Sequence, residues 1–138
     1  MTPILRPLVL LSFLACAFQA NALEVAGYSF TAPADWKSSP PSSKMRKAQF
    51  AIAGKSGKTG EAVFFYFGGG GAGGVKANVD RWMKQFENPQ GQSVKTETVN
   101  GIKVTYAQAH GTYLSGRPFG TKTPNPEYAM LAAIIEGK

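Results

Sequence analysis

The chain is poor in the side chains that most often announce chemistry. It holds one cysteine, Cys16, and one histidine, His110, in 138 residues, so neither a disulfide framework nor a His/Cys zinc set can be assembled from them. Acidic residues number 8 against 15 Lys and Arg. None of them forms, with His110, a recognisable set of nucleophile, base and orienter. Asp35 beside Trp36 reads as a turn residue, Asp80 falls on the outer face of a helical pattern, and His110 shares a strand face with Val104 and Tyr106, as a packed or rim histidine would. No catalytic residue, metal ligand or cofactor is expected. The apolar run Leu8–Phe18 is also shorter than the roughly 20 residues that a membrane-spanning helix needs.

The net charge of +7 permits anionic partners. The cations are dispersed, however, as Lys44/Arg46/Lys47, Lys55/Lys58, Lys76/Arg81/Lys84 and Lys95/Lys103. Nucleic-acid binding calls for a concentrated basic stripe with exposed stacking aromatics, so a solvated surface and no nucleic-acid partner are expected.

What is present begins with a leader. A basic start at Met1–Arg6, the apolar run Leu8–Phe18 and the small-x-small triplet Ala20-Asn21-Ala22 have the order of a secretory signal peptide cleaved after Ala22. Residues 1–22 are thus expected to be removed. Residues 23–138 remain as a single cysteine-free globular domain with no transmembrane helix, periplasmic or extracellular. The alternative is a lipoprotein, with Phe13-Leu14-Ala15-Cys16 as the processing site and a lipid anchor on Cys16.

Along the remainder, Glu24–Thr31 reads as a strand or small hairpin around Gly27, closed by Ala32-Pro33-Ala34-Asp35-Trp36, and 37–43 as a polar loop. Residues 47–53 alternate with period two, as a half-buried strand does. The unbroken apolar run 62–67 suggests a central strand covered on both faces. Val75, Val79, Trp82, Met83 and Phe86 recur at helical spacing, and Asn88-Pro89 is expected to stop that helix, because the residue before a proline leaves helical dihedrals. Asn100-Gly101 between 94–99 and 102–113 is the strongest short hairpin signal. A surface loop over 115–127 and a final apolar strand over 128–135 complete the chain. Strands, one helix, then strands again predict an α+β domain, a mainly antiparallel sheet with a helix packed on it.

The glycine run 68–74, between a strand and this helix, is the one arrangement with chemical promise. Glycines admit backbone amides to a phosphate, and a helix N-terminus carries partial positive charge. The candidate anion-binding residues are Gly69, Gly70, Gly71, Gly73 and Gly74 with Lys76. Gly68, Gly70 and Gly73 satisfy G-x-G-x-x-G, but six glycines in seven residues satisfy almost any spacing, and no βαβ unit surrounds them. A flexible strand-to-helix connection is the competing reading. Gly54-Lys55-Ser56-Gly57-Lys58-Thr59 is not a nucleotide loop, since Ile52 stands where the first glycine would be needed and a strand follows. Nor does it fit G-x-S-x-G, with Lys58 in place of the last glycine.

The segment Phe30-Thr31-Ala32-Pro33-Ala34-Asp35-Trp36 resembles the opening of PsbP-like domains, where an aromatic strand runs into a proline and then a tryptophan. With the glycine loop, Asn78-Val79-Asp80-Arg81-Trp82 and His110-Gly111-Thr112-Tyr113, the chain is similar to a group of uncharacterised exported bacterial proteins. The resemblance covers most of the region after the leader and implies an α/β/α sandwich around an antiparallel sheet. It implies no reaction and supplies no catalytic residue, because photosystem members of the family act as non-catalytic extrinsic subunits. Such domains continue past the 128–135 strand into another strand and a closing helix, so a truncated or incomplete domain is expected unless an earlier strand or a second subunit covers that apolar edge, and self-association through Tyr128–Ile135 is the expected consequence of an open one.

The expected function is a non-catalytic exported binding or accessory module of unknown ligand, its partner an unknown protein or a small anionic ligand. A small-anion or phosphate binder using Gly68–Gly74 and Lys76 is the alternative, and an unrecognised enzyme the third reading.

Overall fold

A computed structural model describes residues 21–55, 57–117 and 119–137. The expected leader, including Cys16, lies outside the described residues apart from Asn21 and Ala22. Between Tyr66 and Phe67 the chain divides into two compact units.

The first unit opens with the hairpin β1 (Asn21–Val25) and β2 (Tyr28–Ala32). Its turn residues Ala26 and Gly27 have φ of 55° and 79°, the left-handed pair that matches strand twist in a two-residue loop. A turn closed by the Trp36 amide donating to the Pro33 carbonyl at 3.0 Å leads into a second sheet. That sheet is antiparallel and contains β3 (Lys37–Ser39), β4 (Arg46–Ala53) and β5 (Thr59–Phe65), in that order. The rings of Phe30, Phe64, Phe50 and Trp36 form a chain of edge and tilted contacts with centroids 5.3, 6.1 and 6.0 Å apart. Such aromatic pairs add about 0.5–1.5 kcal/mol each beyond the area they bury. They tie the hairpin to the sheet around buried Phe50.

Two expectations for this unit fail. Residues 37–39 are a strand, not loop, because β4 offers backbone at Gln49, Phe50 and Ala51 that Lys37–Ser39 can pair with; tertiary pairing overrides a polar composition. The run 62–67 is not a central strand. Among the described residues β5 has β4 as its one sheet neighbour, and Phe65 and Tyr66 remain 49% and 47% exposed. The Phe65 ring lies under the Arg46 guanidinium at 5.9 Å, and Arg46 also reaches Glu61 across the strand pair at 2.9 Å.

The second unit holds the only helix among the described residues, α1 (Val75–Met83), followed by three antiparallel strands, β6 (Phe86–Val99), β7 (Ile102–Ser115) and β8 (Thr123–Glu136). The sheet order is β6-β7-β8. Asn100 and Gly101, with φ of 50° and 77°, make the expected two-residue turn between β6 and β7. On the buried face of β7 stand Thr105, Ala107 and Ala109. Thr105 shares a hydroxyl hydrogen bond of 3.0 Å with Thr96, directly opposite on β6. Phe86, Tyr113 and Tyr128 run across the three strands with centroids 5.6 and 5.8 Å apart.

The helix is shorter than its apolar spacing predicts. It ends at Met83 because the Leu114 amide donates to the Gln85 carbonyl at 2.7 Å, which draws the chain into the sheet before Phe86 can take a helical position. Phe86 is buried as expected, but from the first residue of β6. Asn88-Pro89 therefore does not end the helix; it sits inside β6 where the register shifts twice, between Glu87 and Gln90 and between Gln90 and Ser93. An edge strand at a bulge is where a proline loses no ladder bond. The same reasoning corrects the loop expected over 115–127. β8 begins at Thr123 and carries Pro124 and Pro126 on a sheet edge. The fold is α+β and mostly antiparallel, with α1 packed lightly on β6 and β7.

Candidate functional site

The glycine run forms a compact turn leading into α1, and one side chain outside the run organises it. Asn78, buried on the first turn of α1, donates its amide to the carbonyls of Ala72 at 2.7 Å and Gly74 at 3.1 Å. Its carbonyl oxygen accepts from the Arg81 guanidinium. Three of the four hydrogen-bonding positions of the side-chain amide are thereby used. The loop closes on itself where the Gly71 amide donates to Gly68 at 3.3 Å. A side chain at position 71 would place Cβ 2.0 Å from the Phe67 carbonyl oxygen, so this glycine is needed for close approach. A Cβ at Gly69, Gly70 or Gly74 would meet nothing within 4 Å.

The candidate residues Gly69, Gly70, Gly71, Gly73 and Gly74 thus share one turn at the amino end of the helix. Gly74 is the N-cap and makes no side-chain capping bond, and the first turn carries no acidic residue. Lys76 is not aimed at the loop: its ammonium lies 2.6 Å from Asp80, one helical turn on, and both groups face solvent. The run is therefore an ordered connection clamped by Asn78. The sequence carries a signal for that clamp, a polar residue at position 78 between Val75 and Val79 on the apolar face of the helix.

His110 sits exposed on β7, paired in register with Gln90 and Ala129. Its ring lies over Gly91, close enough that a Cβ there would come within 2.5 Å of Cε1. Gly91, Gln108, His110 and Leu131 border a shallow depression of about 330 Å³. Among the described residues no group of three or more His, Cys, Asp or Glu is placed to hold a metal ion.

A further exposed apolar surface lies along the β8 edge. Residues 128–135 carry no charge and no proline, and their pairing with β7 is regular from Glu136 opposite Lys103 to Tyr128 opposite Gly111. Tyr128, Leu131 and Ile135 are 48%, 80% and 38% exposed. Among the described residues β8 has β7 as its one sheet neighbour and lies at the edge of the sheet. The opposite edge differs. β6 has two register shifts, Pro89, and the charged residues Glu87, Lys95 and Glu97, which are the devices that keep an edge from pairing. Lys95 and Glu97 form an ion pair on that strand, and its hydrogen bond and charge raise the Lys95 ammonium above its ordinary 10.5.

No protein-family model, curated protein or solved structure matches the chain.

Proposed function

We propose that the chain is a non-catalytic exported binding or accessory module, and that it receives an extended segment of a protein partner along β8. The observation that carries this reading is the contrast between the two edges of one sheet. β6 is bulged and charged, whereas 128–135 on β8 is regular, uncharged and exposed. An added strand gains main-chain hydrogen bonds from such an edge, while alternate side chains supply selectivity. The leader-like Met1–Ala22 supports export. The Phe30–Trp36 segment supports the finer α/β/α arrangement of a PsbP-like domain, whose non-catalytic members give the accessory role its motivation.

Peptides displayed in extended form and selected on the purified chain test the reading. Binders should protect amides within 128–135 from exchange and be lost in Leu131→Lys. Binders that map elsewhere, or that ignore Leu131→Lys, count against it.

The uncapped amino end of α1 at Gly74 supports a second reading, a small-anion or phosphate ligand held by the backbone amides of the glycine loop, with Lys76 taking part only by leaving Asp80. Its test is thermal stabilisation by inorganic phosphate that disappears in Gly74→Pro. The absence of any shift with phosphate, nucleotides or sugar phosphates rejects it.

A further inference from the structure

We infer that the end of the β4–β5 pair at Arg46 and Phe65 is a peripheral docking surface for an anionic lipid bilayer. It belongs to the first unit and stands independently of the β8 edge.

The surface is built from two segments that the register brings together. Arg46 on β4 is paired with Phe65 on β5, so Met45 and Tyr66 are the next residues at the same end of the strand pair. Met45 is 59% exposed, and Phe65 and Tyr66 are exposed beside it in register. Lys44 and Met45 form the tip of a turn closed by the Arg46 amide donating to the Ser43 carbonyl at 3.1 Å. Gln49 holds this turn to the sheet, its side-chain oxygen accepting from the Ser42 amide at 3.1 Å and from the Arg46 guanidinium at 2.9 Å. Lys47 is the extra residue where the register shifts between Arg46 and Ala48, and it too is exposed. Three cations, Lys44, Arg46 and Lys47, thus share one end of the strand pair with three exposed apolar side chains.

Charge decides between occupants. Glu61 compensates Arg46 at 2.9 Å, whereas among the described residues no carboxylate pairs with Lys44 or Lys47. Uncompensated lysines beside exposed methionine and aromatics match the interface of an anionic bilayer, where buried apolar area and attraction to headgroups add. Tyrosine suits the headgroup level, with its ring in the apolar margin and its hydroxyl in water. Lysine stems lie along apolar surface while their ammonium groups stay at the charged boundary. A single-stranded nucleic acid would instead call for open ring faces on which bases stack. Met45 offers none, and the Arg46 guanidinium already stands 5.9 Å from the centre of the Phe65 ring. Each lysine should strengthen partitioning onto an anionic surface about fivefold, and the two together about 25-fold.

The test is co-sedimentation of the purified full chain with vesicles of equal parts phosphatidylcholine and phosphatidylglycerol, beside vesicles of phosphatidylcholine alone. Wild type and variants keep the same amino end, so whatever the leader-like segment contributes is common to all of them. Partitioning onto the anionic vesicles should weaken about 25-fold in Lys44→Gln/Lys47→Gln, fall also in Met45→Ser/Tyr66→Ser, and fade with added salt. Lys55→Gln/Lys84→Gln removes the same charge from exposed positions elsewhere and should leave it nearly intact. All these positions are exposed, so their replacement should not unfold the chain, and circular dichroism checks this. Equal partitioning of wild type and Lys44→Gln/Lys47→Gln, or an equal loss in Lys55→Gln/Lys84→Gln, overturns the proposal. So does binding to phosphatidylcholine alone that matches binding to the anionic vesicles. A wild-type chain that ignores vesicles but binds a single-stranded oligonucleotide through the same lysines makes the occupant a nucleic acid and rejects the lipid.

Discussion

Replacing Asn78 with alanine should loosen the glycine turn and the start of α1 together. The side chain bridges the carbonyls of Ala72 and Gly74 and accepts from Arg81. Two neutral hydrogen bonds are each worth about 0.5–1.5 kcal/mol net, and one to a charged group about 1.5–3. Arg81, Ala72 and Gly74 lie exposed, so water recovers part of what the mutation removes, and the lower end applies. We expect a loss of about 2–3 kcal/mol on that basis. Asn78→Asp is the informative comparison. It keeps an acceptor for Arg81 but loses both donors and turns a carboxylate towards two carbonyl oxygens, so it should be at least as damaging. Urea denaturation reads the global effect, and amide exchange of residues 69–77 reads the local one. If Asn78→Ala stays within about 0.5 kcal/mol of wild type, as an ordinary surface change would, and exchange in the turn is unaltered, the clamp does not exist.

Phe86→Ala should cost about 3–5 kcal/mol, because the ring is buried against Tyr113, whereas exposed Lys84→Ala should stay within about 0.5 kcal/mol; equal effects in a denaturant series would contradict the packing. Gly71→Ala should perturb the loop and Gly69→Ala should not, since only the first would collide with the Phe67 carbonyl; chemical-shift changes of equal extent in both variants would refute the close approach. The Lys95 ammonium should titrate above its ordinary 10.5 and return towards it in Glu97→Gln. Because the folded value is the raised one, any stabilisation from this pair is fully present below 10.5 and fades as pH rises through the raised value. A Lys95 titration unchanged by Glu97→Gln would remove the pair as the cause.

Much of the second unit is legible in the sequence because its signals are local. Asn100-Gly101 specifies its own turn, between the two segments that pair as β6 and β7. The places where sequence reasoning misses are those decided by partners distant in the chain. Phe86 has helical spacing, yet Leu114 captures the backbone at Gln85 and makes Phe86 the first residue of a strand. Pro89, Pro124 and Pro126 look like loop formers, but bulges and sheet edges accommodate each of them. The apolar stretch 62–67 suggests two covered faces, while among the described residues the pairing order leaves β5 beside one neighbour. The same limit governs the candidate site. Composition singles out the glycines, but the clamp depends on Asn78 turning back onto Ala72. The apolar character of 128–135 is plain in the sequence, and its position with β7 as the one sheet neighbour among the described residues is a property of topology.

Amide exchange across β8, measured with and without a displayed peptide selected on the chain, tests most directly the claim that this edge is where the chain meets its partner. In an antiparallel edge strand alternate amides point towards the neighbour and the others point outward. The account predicts that the inward set within 128–135 is protected by β7 whether or not peptide is present. The outward set should exchange rapidly in the free chain and become protected when the peptide binds, with no matching change along β6. Outward amides that exchange at the same rate with peptide bound, or protection that grows along β6 instead, would contradict it.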